Sequence, residues 1–129
     1  MREIKFRYRV NHYKEPEEVF TFTGTLEDVE NRKWEPNPFD LSYTTLSRDQ
    51  FTGLHDKNGK EIYEGDIIRI LLRRHMEDLV FANAEIHFEG AAFWFNARKI
   101  GFTDCNWHFY NQSDREVIGN IYKNPELLK

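Results

Sequence analysis

The stretch Gly-Asp-Ile-Ile-Arg-Ile-Leu-Leu at residues 65–72 constrains the fold of this chain more than any other. Ile67, Ile68, Ile70, Leu71 and Leu72 follow a glycine with Arg69 as the one interruption. Side chains of a strand alternate between two faces, so a run apolar at odd and even positions has both faces covered, as an interior strand does. The sequence therefore predicts a central strand over 66–72. It places Ile68, Ile70 and Leu72 in the core and expects Ile118 and Ile121 to be largely buried too.

Elsewhere the chain reads as β structure interrupted by tight turns. Ile4, Phe6, Tyr8 and Val10 alternate with Lys5, Arg7 and Arg9, giving one apolar and one basic face. A second strand is expected over 19–23, with Phe20 and Phe22 on one face, after a loop over 11–18 that holds Pro16. A short helix over 26–31 follows, with Thr25 and Asp28 spaced as a capping box. Residues 33–38, with Pro36, Asn37 and Pro38, read as a linker, and 41–46 as another strand. Asn58-Gly59 accepts the positive φ angles of a hairpin tip between strands ending near 54 and starting near 60. The run 73–78 reads as a charged loop. Residues 80–88 and 91–97 flank Glu89-Gly90 as a second hairpin, and 102–110 alternates aromatic with polar residues. The last strand, 117–122, contains Gly119, which signals a bulge or a close backbone approach. Asn124-Pro125 has the pattern of a helix start.

A chain of 129 residues suits one compact domain or a domain with a small appendage, and aromatics at 16% are too many for a disordered chain. The lone Cys105 excludes an internal disulfide and fits a reducing interior. No run approaches the ~18 apolar residues that span a bilayer, and the opening decapeptide lacks a signal-peptide centre. The bacterial cytoplasm is the expected location, with no membrane partner. The net charge of −4 is not that of a general nucleic-acid binder.

Three stretches together carry a resemblance. They are MREIKFR at 1–7, QFTGLHDKNGKEIYEGDIIRI at 50–70 and EVIGNIYKNPELL at 116–128, about a third of the chain. In this order they resemble the YopX family, found in phages and prophages of Gram-positive bacteria. The family usually shows a tryptophan soon after the opening Phe-Arg, whereas Tyr8 and Arg9 stand here, and residues 8–49 align with nothing in those motifs. The resemblance implies phage origin and a fold. It implies no reaction and no functional residue.

Candidate chemistry is sparse. Cys105 and His108 have Cys-x-x-His spacing, half a metal site or a thiolate–imidazole pair, but on one strand they would point to opposite faces. Asp56-Lys57-Asn58-Gly59 resembles a calcium loop, yet its glycine comes fourth and the alternating acidic ligands are missing. Glu61, Glu64 and Asp66 cluster at two bends and read as turn-solvating carboxylates. Arg69, Arg73, Arg74 and His75 form the one compact basic run, with Arg98 and Lys99 a smaller one. Aromatics near both in sequence suggest a groove for single-stranded nucleic acid, although Glu77, Asp78 and Glu85 offset the charge.

The expected fold is mainly β, α+β at most. It comprises a small bent antiparallel sheet or SH3-like barrel, an N-terminal β segment and a short C-terminal helical turn. Residues 1–49 would form the N-terminal segment with its helix and linker, and 50–129 a barrel-like core. The expected function is that of a phage or prophage protein acting as a non-catalytic protein-binding module, its partner another protein or a second copy of itself. The alternative is a nucleic-acid-binding accessory of phage DNA metabolism. Neither catalytic residues nor cofactors nor metals are expected. The candidate contact residues are Arg69, Arg73, Arg74, Arg98 and Lys99.

Overall fold

The computed structural model describes residues 4–31, 42–75, 78–89, 92–97, 102–105 and 111–129. The fold is mostly antiparallel β, with very little helix. The chain divides into two compact units, Met1–Gly53 and Leu54–Lys129. The boundary falls within a strand of the chain, after Gly53.

In the first unit, β1 (Lys5–His12) lies between β2 (Glu15–Thr25) and β3 (Tyr43–His55). Tyr8 stands across from Phe22 on β2, and Val10 from Phe20. Tyr8 and Val10 are buried, with Phe6, Phe20, Phe22 and Tyr43 packed around them. The basic face predicted by alternation is present: Arg7 pairs in register with Asp49 of β3 and donates to its carboxylate at 2.9 Å. The expected loop over 11–18 is shorter than predicted. Strand β2 begins at Glu15, and a register irregularity between Asn11 and His12 lets the chain reverse around Tyr13 and Lys14. Helix α1 (Leu26–Asn31) opens with a reciprocal cap, the Asp28 carboxylate accepting from Thr25 N at 3.0 Å and Thr25 Oγ1 accepting from Asp28 N at 3.2 Å. The expected linker at 33–38 lies outside the described residues. Residues 43–46 of the strand expected over 41–46 belong to one long strand, β3, that runs on past the expected strand end near residue 54; Leu41 lies outside the described residues.

β3 continues past Gly53, and β4 (Glu61–Tyr63) stands next to it in the strand order. The second sheet has the order β8-β7-β6-β5-β9, with β5 at Asp66–His75, β6 at Asp78–Glu89, β7 at Ala92–Ala97, β8 at Phe102–Cys105 and β9 at Arg115–Asn120. β5 is interior, as its double-sided apolar pattern requires, with β6 on one side and β9 on the other. Ile68, Ile70 and Leu72 are fully buried with Ile62, Ala84, Ile86 and Phe95. Ile118 and Ile121 are partly buried: Ile118 lines an open concavity at the sheet edge, and Ile121 lies beyond β9. The run expected as a charged loop is also corrected: Arg73, Arg74 and His75 extend β5, and Arg73 pairs with Leu79 of β6. Charged residues mark a loop only where neither strand face meets solvent, and β5 has such a face at Arg69.

Gly59 and Gly119 serve this unit in different ways. Gly59 has φ +80° and Gly59 N donates to Asp56 O at 2.9 Å, closing the hairpin tip in a conformation that L side chains avoid. An added Cβ on Gly119 would stand 2.5 Å from Asn124 Oδ1, so the close approach read from the sequence is real. The β5–β9 register also shifts beside it, between Ile67 and Ile68. Asn124 opens the C-terminal 3₁₀ turn Pro125–Leu128, but its side chain does not cap that turn. It accepts instead from Asn120 N at 3.3 Å.

Candidate functional site

The acidic loop that resembles a calcium site is a structural joint. Asp56 is 1% exposed. Its Oδ1 accepts from Asn58 N and Lys60 N, both at 2.9 Å, and its Oδ2 accepts from Val117 N at 3.0 Å. The backbone around it is bound to the same strand: Lys57 N donates to Arg115 O at 2.9 Å, and Arg115 Nε donates to His55 O at 2.9 Å. One carboxylate thus ties the hairpin tip to β9. Burial pushes the Asp56 carboxyl up, but the three N–H donors and the charge of Lys60 outweigh it and hold the group below its ordinary value. Asp66 acts similarly at the next bend, accepting from Tyr63 N at 2.8 Å while buried. Glu61 accepts from the Tyr63 hydroxyl at 3.3 Å. Among the described residues, no group of three or more His, Cys, Asp or Glu side chains is arranged to hold a metal. Cys105 ends β8 and His108 lies outside the described residues.

Of the basic candidates, the structure places Arg69 at a concave surface of the second unit. The β6–β5–β9 register puts Asn83 and Glu116 on either side of it. The Arg69 guanidinium carbon lies 4.4 Å from the centre of the Phe81 ring. Phe81 is 55% exposed, because it occupies the odd-numbered face of β6 while Ala84 and Ile86 of the even-numbered face are buried. Two concavities meet at Arg69, Phe81 and Glu116. One, of about 660 Å³, runs toward Ile118 and Leu127. The other, of about 230 Å³, runs toward Lys57 and Ser113. Asn83 Nδ2 donates to Leu127 O at 2.8 Å and so fixes the C-terminal 3₁₀ turn as a wall of the larger one. Glu116 is held by Lys57, whose Nζ lies 3.0 Å from it. The Lys57 hydrogen bond, with the charge behind it, lowers the Glu116 carboxyl below its ordinary value.

Arg73 and Arg74 share β5 with Arg69, whereas Arg98 and Lys99 lie outside the described residues. The sequence did not single out Phe81, Asn83, Glu116 or Leu127. One signal for Phe81 was present: Leu79 and Phe81 place apolar side chains on the face of β6 that also carries Asn83 and Glu85.

These features define a class, a small mainly-β protein with two antiparallel sheets and an aromatic, mixed-charge cleft on the second. The chain belongs to the YopX family, whose model, described as YopX protein, matches residues 7–129. That match includes 8–49, which the three sequence motifs leave out. A solved structure, the crystal structure of protein EF1440 from Enterococcus faecalis, is 27% identical. It matches over 95% of this chain and 75% of that chain, with a TM-score of 0.45. No curated protein matches the chain. Among the described residues, no helix is long and apolar enough to cross a membrane.

Proposed function

We propose that the protein is a phage or prophage product acting in the bacterial cytoplasm as a non-catalytic binding module, and that its partner is a protein. The observation that carries this reading is the Arg69–Phe81 stack in the wall of a cleft. Arginine and large aromatic residues dominate the energetic centres of protein interfaces, and Leu79 and Phe81 expose apolar surface on one face of β6. Phage origin rests on the family's occurrence in phages and prophages, and the cytoplasm on the single cysteine. The second unit is taken as SH3-like for its short strands, glycine turns and closing 3₁₀ turn.

A second reading, a nucleic-acid-binding accessory, is favoured by Arg69, Arg73 and Arg74 standing on one strand. Glu116 and Glu126 line the same cleft and would repel a phosphate chain. Tagged protein is used for affinity capture from lysogenic cells, with nuclease treatment, in wild-type and Phe81→Asp forms. A partner retained after nuclease and lost with Phe81→Asp is expected. Sub-micromolar binding of labelled single-stranded DNA at near-physiological salt, abolished by Arg73→Ala with Arg74→Ala, would overturn the protein reading.

A further inference from the structure

Resting on that reading, we infer that the Arg69–Phe81 cleft takes an acidic peptide segment. A carboxylate of the peptide would sit on the edge of the Arg69 guanidinium, and an adjoining apolar side chain on Phe81 and Leu127. The argument begins with Arg69 itself. It is exposed, and among the described residues its one contact of a charged kind is the face of the Phe81 ring. Glu116 is its cross-strand neighbour and the obvious mate, but that carboxylate is engaged by Lys57 at 3.0 Å and approached by Asn58 Nδ2 at 3.5 Å.

A guanidinium carries five N–H donors, and one set over a single ring at 4.4 Å keeps donors open toward the concavity. Those donors form a planar fork that matches a carboxylate in two parallel hydrogen bonds. The ring also fixes the side chain, so less rotamer freedom remains to be lost when a ligand binds. The result is a pre-positioned cation at the junction of two concavities.

The surroundings select the kind of acid. Beyond Arg69 the larger concavity is walled by Phe81, Ile118 and Leu127, which offer apolar surface to a side chain and nothing to a phosphate. Glu116 and Glu126 line it as well, offsetting Arg69 and Lys129, so the side chains of the cleft carry no net positive charge to hold a polyanion. A peptide with one Asp or Glu beside a leucine or aromatic residue can place its charge on Arg69 alone. The lysine-bound Glu116 then sits where the peptide's own N–H groups or a basic side chain can face it.

The test uses a random peptide library displayed on yeast, selected against the full-length wild-type protein. Enriched peptides are then synthesised and measured by fluorescence polarisation. The expected result is enrichment of Asp or Glu next to an apolar residue. Binding should weaken about tenfold or more in Arg69→Gln, since a charge-assisted hydrogen bond is lost. Phe81→Leu, which keeps an apolar wall but removes the stack, should weaken it less. Circular dichroism checks that each variant is folded. Enriched peptides without an acidic residue, or acidic ones that bind Arg69→Gln as well as wild type, would overturn the carboxylate inference while leaving the protein-binding reading standing. No enriched peptide at all, together with tight single-stranded DNA binding, would overturn both.

Discussion

In the first unit, Tyr8 and Val10 are the buried members of a cluster whose other members, Phe6, Phe20, Phe22 and Tyr43, are half-exposed aromatics. In the second, Ile62, Ile68, Ile70, Leu72, Ala84, Ile86 and Phe95 are sealed together, and a buried carboxylate joins the hairpin tip to β9. Each unit has a sheet and aromatic residues, but among the described residues the second has many more fully buried apolar side chains. Burial scales the hydrophobic contribution, at roughly 25 cal/mol per Å². The second unit is therefore the rigid body that holds the Arg69–Phe81 cleft in shape. The first depends on edge packing and on the Arg7–Asp49 ion pair.

The sharpest way to break this comparison is a matched pair of truncations. Phe95→Ala empties a fully buried site and should cost about 3–5 kcal/mol, whereas Phe22→Ala, at a half-buried site, should cost about 1–2 kcal/mol. Urea unfolding with unchanged slope reads both. Equal losses would mean that the two clusters are equally dry.

Next comes the joint. Asp56→Ala removes the acceptor of three backbone N–H groups, two at the turn and one on β9, and should cost about 3 kcal/mol. The pH dependence has a definite sign. The folded-state pKa of Asp56 lies below that of the unfolded chain, so its contribution is complete above about pH 4 and fades as pH falls through the folded value. Wild-type stability should decline below about pH 4 more steeply than that of Asp56→Asn, in thermal melts from neutral to acid pH. Parallel curves would show that the carboxylate is not the group being titrated.

A smaller effect is expected at β9. Gly119→Ala forces a methyl group onto Asn124 Oδ1 and should cost about 1–3 kcal/mol, as overpacking does. The same change in an Asn124→Ala background should cost less, because the clashing amide is gone. A double mutant no better than the sum of the two would place the strain elsewhere. The smallest expected effect is none: calcium titration should leave the melting temperature unchanged, because both Asp56 oxygens already accept from the backbone. A calcium-dependent rise would revive the ligand-loop reading.

Local signals in the sequence carried much of the fold. The Ile4–Val10 alternation, the Thr25–Asp28 box, Asn58-Gly59 and the Gly65–Leu72 strand each state their structure within a few residues. What was illegible depends on distant partners. Asp56 and Val117 are 61 positions apart, so nothing near Asp56 distinguishes an acceptor for β9 from a turn-solvating carboxylate. The continuation of β5 through Arg73–His75 was hidden because a run of charged residues has the composition of a loop. The cleft was half visible. Arg69 stood out as a charge inside an apolar run, but Phe81, Asn83 and Glu116 become its neighbours only once the β6–β5–β9 register is known.

Native-state hydrogen exchange tests the central contrast most directly, because it reads the opening free energy of each strand in the intact chain. Tyr8 and Val10 on β1 and Ile68 and Ile70 on β5 are all on interior strands of their sheets, so edge fraying does not bias the comparison. The account predicts that the β5 amides exchange only through global unfolding, while those of β1 exchange through a lower-energy opening. Equal protection in the two strands, or stronger protection in β1, would contradict it.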